Sequence, residues 1–318
     1  MKNILLFLFI LPLIISAQSS FEKAEKYFTE EKFSLAEPLF RNYLKAHPTH
    51  KKTREYLGDI ASYDKDWDTA ITYYSELVEE NDASATYHFK AGGALGMKAL
   101  KINRIRALGY IGDIKKHFER AAKLDPNHIE VRWALVEFYI QLPGIIGGSE
   151  KKATNYANQL AKLSPVDGHL ANGYIAEYSN RHEDAERYYK QAISVGGSVH
   201  TYGKLTDLYE NTNQPKKAIE NVSSCLKVHK RNALHYQIGK IAAQYNLDAA
   251  LGINCLQKYI ENHTVKDGVP KDWAYYRLAQ IYKNIGNKKS ALEWIDKALV
   301  DRPDFKQARK EKEIILSL

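Results

Sequence analysis

Apolar residues recur along most of the chain at intervals of three and four, and glycine and proline are sparse within long stretches. That periodicity predicts α-helix after α-helix and no sheet. Small and bulky positions repeat in a fixed order. Ala36 is followed by Phe40, Tyr43 and Pro48, Ala153 by Leu160 and Pro165, and Ala291 by Ile295, Ala298 and Pro303. Ala70, Ala185 and Ala218 head the same pattern, and Ile114 and Gly252 hold its first position in two weaker copies. Successive anchors lie 34, 44, 39, 32, 33, 34 and 39 residues apart. One repeat of 34 residues with three insertions accounts for every interval.

Upstream of the anchors a second helix carries its own signature, as in Leu57-Gly58 before Ala70, Leu278-Ala279 before Ala291 and Gly239 before Gly252. Small residues let two antiparallel helices approach, and aromatic or branched residues fill the space left between them. Pro48, Pro126, Pro165 and Pro303 stop the second helix of each pair. A single hairpin cannot bury its apolar stripe, so neighbours must stack.

This pattern resembles the tetratricopeptide repeat family over nearly the whole chain, most closely from Trp273 to Pro303. The resemblance implies an all-α, right-handed superhelical solenoid of about eight helical hairpins over residues 18–304. Residues 305–318 would form a C-terminal capping helix, with "KQARKEKE" in water and Ile314-Ile315 on the last hairpin.

The N-terminus changes the picture by adding a compartment. Lys2, an apolar run from Ile4 to Ile15, and Ser16-Ala17 read as a secretory signal over residues 1–17, cut after Ala17. The run is too short for a permanent membrane span. The formal net charge of +8 suits anionic surfaces, polymers or acidic segments, whereas nucleic acid is not expected outside the cytoplasm. Cys225 and Cys255 sit on neighbouring second helices, offset by about a turn and an interhelical distance, which argues against a disulfide.

No H-E-x-x-H, spaced Cys/His cluster or G-x-S-x-G occurs, and adjacent carboxylates such as Glu79-Glu80 diverge on a helix. The sequence therefore predicts no catalytic residue, no cofactor and no metal.

Two insertions fall in turns between paired helices. "LPGIIGGSEKKA", residues 142–153, lacks phosphate-loop spacing; Gly147-Gly148 reverses the chain and Ser149 caps the helix starting at Glu150. Bare amides at Gly147, Gly148 and Ser149 could in principle receive an anion. In the third repeat, residues 92–116 are over length. Ile102, Ile105, Leu108 and Ile111 recur every three residues and predict a segment that folds back as an extended hairpin. Lys98, Lys101, Arg104 and Arg106 give it a basic side, and Ile145-Ile146 would stand beside it on one edge. Exported bacterial members of the family are similar in this long third hairpin followed by Pro-Gly and Gly-Gly. The third insertion, "ENHTVKDGVPKDW", reads as a flexible connector.

Family geometry puts the first helices on the inner surface of such an array. Projected onto this chain, the groove holds Tyr63, Phe89, Trp133, Glu137, Tyr174, Glu177, Asp207, Glu210, Tyr236, Lys240, Trp273 and Tyr276. Aromatic anchors among polar groups suit a peptide segment, and the acidic middle favours a basic or neutral one. The expected function is an exported scaffold for a protein or peptide partner. The alternative is a module for an anionic envelope polymer or glycan at the basic edge.

Overall fold

The computed structural model describes residues 20–318, which are helical or turn throughout, with no strand among them. The signal expected at residues 1–17 lies outside the described residues. Eight helical hairpins follow one another. The first pairs α1 (20–29) with α2 (Phe33–Ala46), and the second α3 (Lys51–Tyr63) with α4 (Trp67–Glu80). The third pairs α5 (Ala85–Lys101) with α7 (Ile111–Leu124) around a short α6 (Arg104–Ala107), and the fourth α8 (Ile129–Gln141) with α9 (Glu150–Leu163). Next come α10 (Pro165–Tyr178) with α11 (His182–Gly196), and α12 (Val199–Asn211) with α13 (Pro215–His229). The last two are α14 (Asn232–Tyr245) with α15 (Ala249–Glu261), and α16 (Lys271–Asn284) with α17 (Lys288–Asp301), before α18 (Lys306–Leu316).

The chain divides into an N-terminal unit ending at Leu163 and a C-terminal unit starting at Ser164. In the first, α3, α4, α5, α7, α8 and α9 each pack on the next in that order; in the second, α10 to α18 do the same.

Helix starts follow local chemistry. Asp66, Ser84, Ser198 and Asn287 accept hydrogen bonds from the amides of Thr69, Tyr87, Thr201 and Ser290, which would otherwise be orphaned in the first turn. Pro165 opens α10 at its first turn instead of only ending the helix before it. The repeat anchors explain how paired helices meet. Ala36, Ala70, Ala153, Ala185, Ala218 and Ala291 are fully buried, and Ile114 and Gly252 are buried in the same role. Opposite them, glycines of the first helices receive a bulky side chain. A Cβ at Gly58 would lie 2.6 Å from Tyr74 Cε1, and one at Gly173 2.4 Å from Tyr189 Cε1. Gly92 meets Phe118 and Gly239 meets Leu256 in the same way.

Six hairpins close through one repeated turn. Glu31, Lys65, Asn180, Asn213, Asn246 and Gly286 each adopt a left-handed conformation, with φ between +51° and +77°. The amide after each donates to the carbonyl five residues back, at 2.7–3.0 Å, as in Asp66 to Ala61 and Gln214 to Tyr209. This is the Schellman closure of a helix C-terminus. Hairpins three and four, which carry the two enlarged turns, close differently.

Two sequence expectations need correction. In α18, Ile315 is fully buried but Ile314 is exposed, and Ala308 and Glu311 of the supposedly solvated stretch are buried. Glu311 is held by Lys283 at 2.6 Å, a partner one repeat upstream. The connector before α16 is pinned rather than loose. The carbonyl oxygen of Val269 accepts from Tyr259 and lies 3.0 Å from His263 Nε2, while Asn232 donates to Asp267 at 3.3 Å. Residues 92–116 do fold back as an extended hairpin: α5 packs on α7, α6 and a 3-10 turn bridge them, and Ile105 and Leu108 of the bridge are exposed. A three-residue spacing eclipses side chains on a 3-10 turn but drifts across an α-helical one, so it selects no common buried face here. Cys225 and Cys255 are separate buried thiols, and burial raises both above the ordinary thiol range.

Candidate functional site

The face shared by successive first helices is cross-linked by polar contacts at about one repeat period. In the N-terminal unit, Lys90 on α5 reaches back to α3, with Nζ 2.6 Å from Glu55 and 2.7 Å from Asp59. Burial alone would raise Glu55, but the hydrogen bonds and charges of Lys90 and Lys52 together outweigh it and hold that carboxyl below the usual range. Asp59 also accepts from Tyr74 Oη at 2.7 Å, tying the ladder to the Gly58 contact. In the C-terminal unit, Asn211 donates to Glu177 at 3.3 Å, Lys240 to Glu210 at 3.3 Å, and Glu177 accepts from Tyr189 Oη at 2.8 Å. Lys90 was missed by sequence reasoning. A scan for opposite charges separated by one repeat would have found it.

The predicted groove residues fall into distinct environments. Glu177 and Glu210 belong to the ladder, and Asp207 stands among them. Although exposed, the Asp207 carboxyl is pushed above the ordinary range by partial desolvation; Glu210 and Glu177 add to this, against Lys204 and Lys240. Tyr174 and Tyr236 are half-buried on α10 and α14. Burial pushes the Tyr236 hydroxyl upward, against the pull of Arg277. In the N-terminal unit, Tyr63 is exposed with its ring 4.4 Å from that of Phe33. Phe89 packs on His128 at 5.0 Å, joining α5 to α8. Trp133 is half-buried and Glu137 exposed, both on α8.

Two aromatics serve the C-terminal core instead. Tyr276 is only 9% exposed, its ring 5.4 Å from Phe305, and Trp273 lies 4.6 Å from the same ring. The Arg302 guanidinium sits 3.6 Å from Phe305 and pairs with buried Asp272 at 2.7 Å. Tyr276 is therefore withdrawn from the predicted groove set, and Trp273 is largely committed to the cap, because Phe305 at the start of α18 seats on both rings. Away from this face, a cleft of about 400 Å³ runs along α11, α12 and α13, where Tyr209 donates to Glu186 at 2.9 Å under Lys217. No predicted groove residue lines it.

The two enlarged turns differ in what they leave available. In hairpin four, Gly147 has φ +105° and its amide donates to Gly144, while Gly148 donates to Pro143 and Ser149 to Tyr139. All three amides are thus consumed within the hairpin, which corrects the expectation of an anion site there. Ser149 Oγ accepts from Lys152 N as the cap. Ile145 is 95% exposed and Ile146 half-buried. In hairpin three, Lys98 pairs with Asp68, whereas Lys101, Arg104 and Arg106 are exposed and form no ion pair among the described residues.

Among the described residues no group of three or more His, Cys, Asp or Glu could hold a metal ion, and no helix is long and apolar enough to cross a membrane.

A stack of antiparallel helical hairpins linked by one-period contacts defines a helical repeat protein, a class that works as an interaction scaffold. Residues 21–86 and 274–299 match family models for the tetratricopeptide repeat. A tetratricopeptide repeat protein from Parabacteroides merdae ATCC 43184 is similar in fold, with a TM-score of 0.53 at 13% identity, covering 95% of this chain and 99% of its own. YrrB, a tetratricopeptide protein with an unusual peptide-binding site, gives 0.43 at 17% identity over 62% of this chain and 97% of its own. TTC0263, a thermophilic tetratricopeptide protein from Thermus thermophilus, gives 0.41 at 14% over 71% and 98%. No curated protein matches in sequence.

Proposed function

We propose that the protein is an exported, non-catalytic scaffold whose first-helix face forms a concave groove for a segment of a partner protein. The enlarged edge of hairpins three and four serves as a second contact. The reading rests chiefly on Asp207. Its neighbours Glu177 and Glu210 already spend their charge on Asn211, Tyr189 and Lys240, whereas Asp207 is exposed and raised, a carboxylate that gains from a cation brought by a ligand. Half-buried Tyr174 and Tyr236 supply aromatic surface on the helices to either side. Export is supported by the apolar run Ile4 to Ile15 and the small residues before Gln18.

An arrayed panel of peptides, matched in apolar content but carrying either Lys/Arg or Glu, tests the proposal. Basic members bind, acidic ones do not, and Asp207→Asn weakens binding by about tenfold. Equal binding of both sets, or of neither, would remove the groove reading. Linkage supplies a control on the variant. A carboxyl raised in the folded state stabilises below its unfolded pKa, ~3.9, and that stabilisation is lost as pH rises through the folded value. Asp207→Asn is therefore more stable than the parent at neutral pH, an advantage that disappears in acid, so lost binding cannot be ascribed to unfolding.

A further inference from the structure

The tip of the third hairpin, where α6 and a 3-10 turn join α5 to α7, combines two properties. Between Asp82 and Asp113 the chain contains no acidic residue. Within that stretch Lys90 and Lys98 are paired with carboxylates of α3 and α4, but Lys101, Arg104 and Arg106 are not. Interleaved with those three cations are large apolar side chains turned to solvent: Leu100 is 74% exposed, Ile105 78%, and Met97 and Leu108 about half. They do not dangle. Asn103 Oδ1 accepts from the Ile105 amide at 2.8 Å and caps α6, α6 packs on α5, and Lys98 reaches over the Tyr110 ring at 5.4 Å. Ile145 stands out at the same end of the following hairpin.

We infer that this tip docks the protein onto the surface of an anionic phospholipid bilayer. The proposal rests on the reading of that edge as a contact surface and is independent of the groove. A soluble polyanion would be satisfied by Lys101, Arg104 and Arg106 alone, and would leave Leu100 and Ile105 in water. A peptide groove would cover its apolar side chains from several sides, whereas Leu100 and Ile105 keep about three-quarters of their surface in solvent. A lipid headgroup layer answers both features: its negative potential attracts the cations, and the apolar side chains enter the headgroup and acyl boundary. The charge pattern fits because no carboxylate lies within the segment to oppose approach.

The experiment uses the full chain with an environment-sensitive nitrobenzoxadiazole fluorophore on Ile105→Cys, and in parallel on Val265→Cys, an exposed site in the C-terminal unit. The native thiols are buried, so labelling falls on the introduced cysteine. Vesicles of phosphatidylcholine with phosphatidylglycerol blue-shift the label at 105 and leave the label at 265 in water; phosphatidylcholine alone shifts neither. Reversing Lys101, Arg104 and Arg106 to Glu lowers vesicle affinity by at least about a hundredfold, at about fivefold for each lost cation. A label at 105 that stays aqueous on anionic vesicles overturns the inference. So does a Leu100→Ser/Ile105→Ser variant that binds them as tightly as the parent; equal binding of that variant to dextran sulfate would reassign the cations to a soluble polymer. Because both readouts report only on hairpin three, their failure leaves the Asp207 peptide test untouched.

Discussion

Hairpins two and four close the same kind of helix pair by different means. In hairpin two, Lys65 turns the chain in three residues, and the Asp66 amide and its side chain satisfy both helix ends at once. Hairpin four takes eight residues, Leu142 to Ser149, and still leaves no amide open at Gly147, Gly148 or Ser149. Its glycines answer to backbone crowding, which makes the insertion a structural solution. Hairpin three is the contrasting enlargement, since its extra residues satisfy their own backbone yet present cations and apolar groups with no partner. A longer turn is thus no sign of function by itself. What distinguishes the two is charge: hairpin three leaves Lys101, Arg104 and Arg106 unpaired among the described residues, whereas hairpin four closes its amides and leaves the apolar Ile145 in solvent.

The sharpest test of that contrast is at Gly148. A Cβ there would lie 1.7 Å from the Leu142 carbonyl oxygen, and neither partner is a flexible side-chain end. Gly148→Ala should cost about 3 kcal/mol or more, seen as an early loss of helical circular dichroism in urea. Gly144→Ala, with nothing within 4 Å of the new methyl, should stay within about 0.5 kcal/mol. Equal effects would mean that hairpin four is not closed by backbone crowding. A smaller loss is expected at Gly173 in the C-terminal unit, where the obstacle is the Tyr189 ring, which can shift. Gly173→Ala should cost about 1–3 kcal/mol by overpacking, measured in the same titration. Tyr189→Phe keeps the ring and should cost about 1 kcal/mol for the hydrogen bond to Glu177.

The all-α repeat was legible because burial of Ala36, Ala70 or Ala291 depends on contacts within one hairpin, and hairpins recur at a readable interval. Positions whose environment depends on the next hairpin were not. Lys90 looks like any surface lysine until α3 is laid beside α5 and supplies Glu55 and Asp59. Tyr276 has the spacing of a groove residue, yet α18 brings Phe305 onto it. The Gly-Gly-Ser turn was correctly placed between two helices, and Ser149 was identified as the cap, but its amides could not be assigned without the carbonyls of Tyr139 and Pro143. The basic character of hairpin three was visible from composition. Which of its cations are spent was not, because Asp68 reaches Lys98 from another hairpin.

The smallest effect probes the short turns themselves. Asn180, Asn213 and Asn246 tolerate the left-handed region because their short polar side chains can bond locally, whereas Glu31 and Lys65 lack that relief and adopt it at a cost of about 1 kcal/mol. Glycine removes that cost but gives the unfolded chain more freedom, which returns part of the gain. Lys65→Gly should therefore stabilise the N-terminal unit by only about 0.5 kcal/mol, while Asn213→Gly in the C-terminal unit should be close to neutral. The reverse change, Gly286→Ala at φ +77°, should cost about 1 kcal/mol. Paired urea titrations of Lys65→Gly and Gly286→Ala check the signs. If both came out neutral, the left-handed residue would not control closure, and the six short turns would have to owe their geometry to the helices they join.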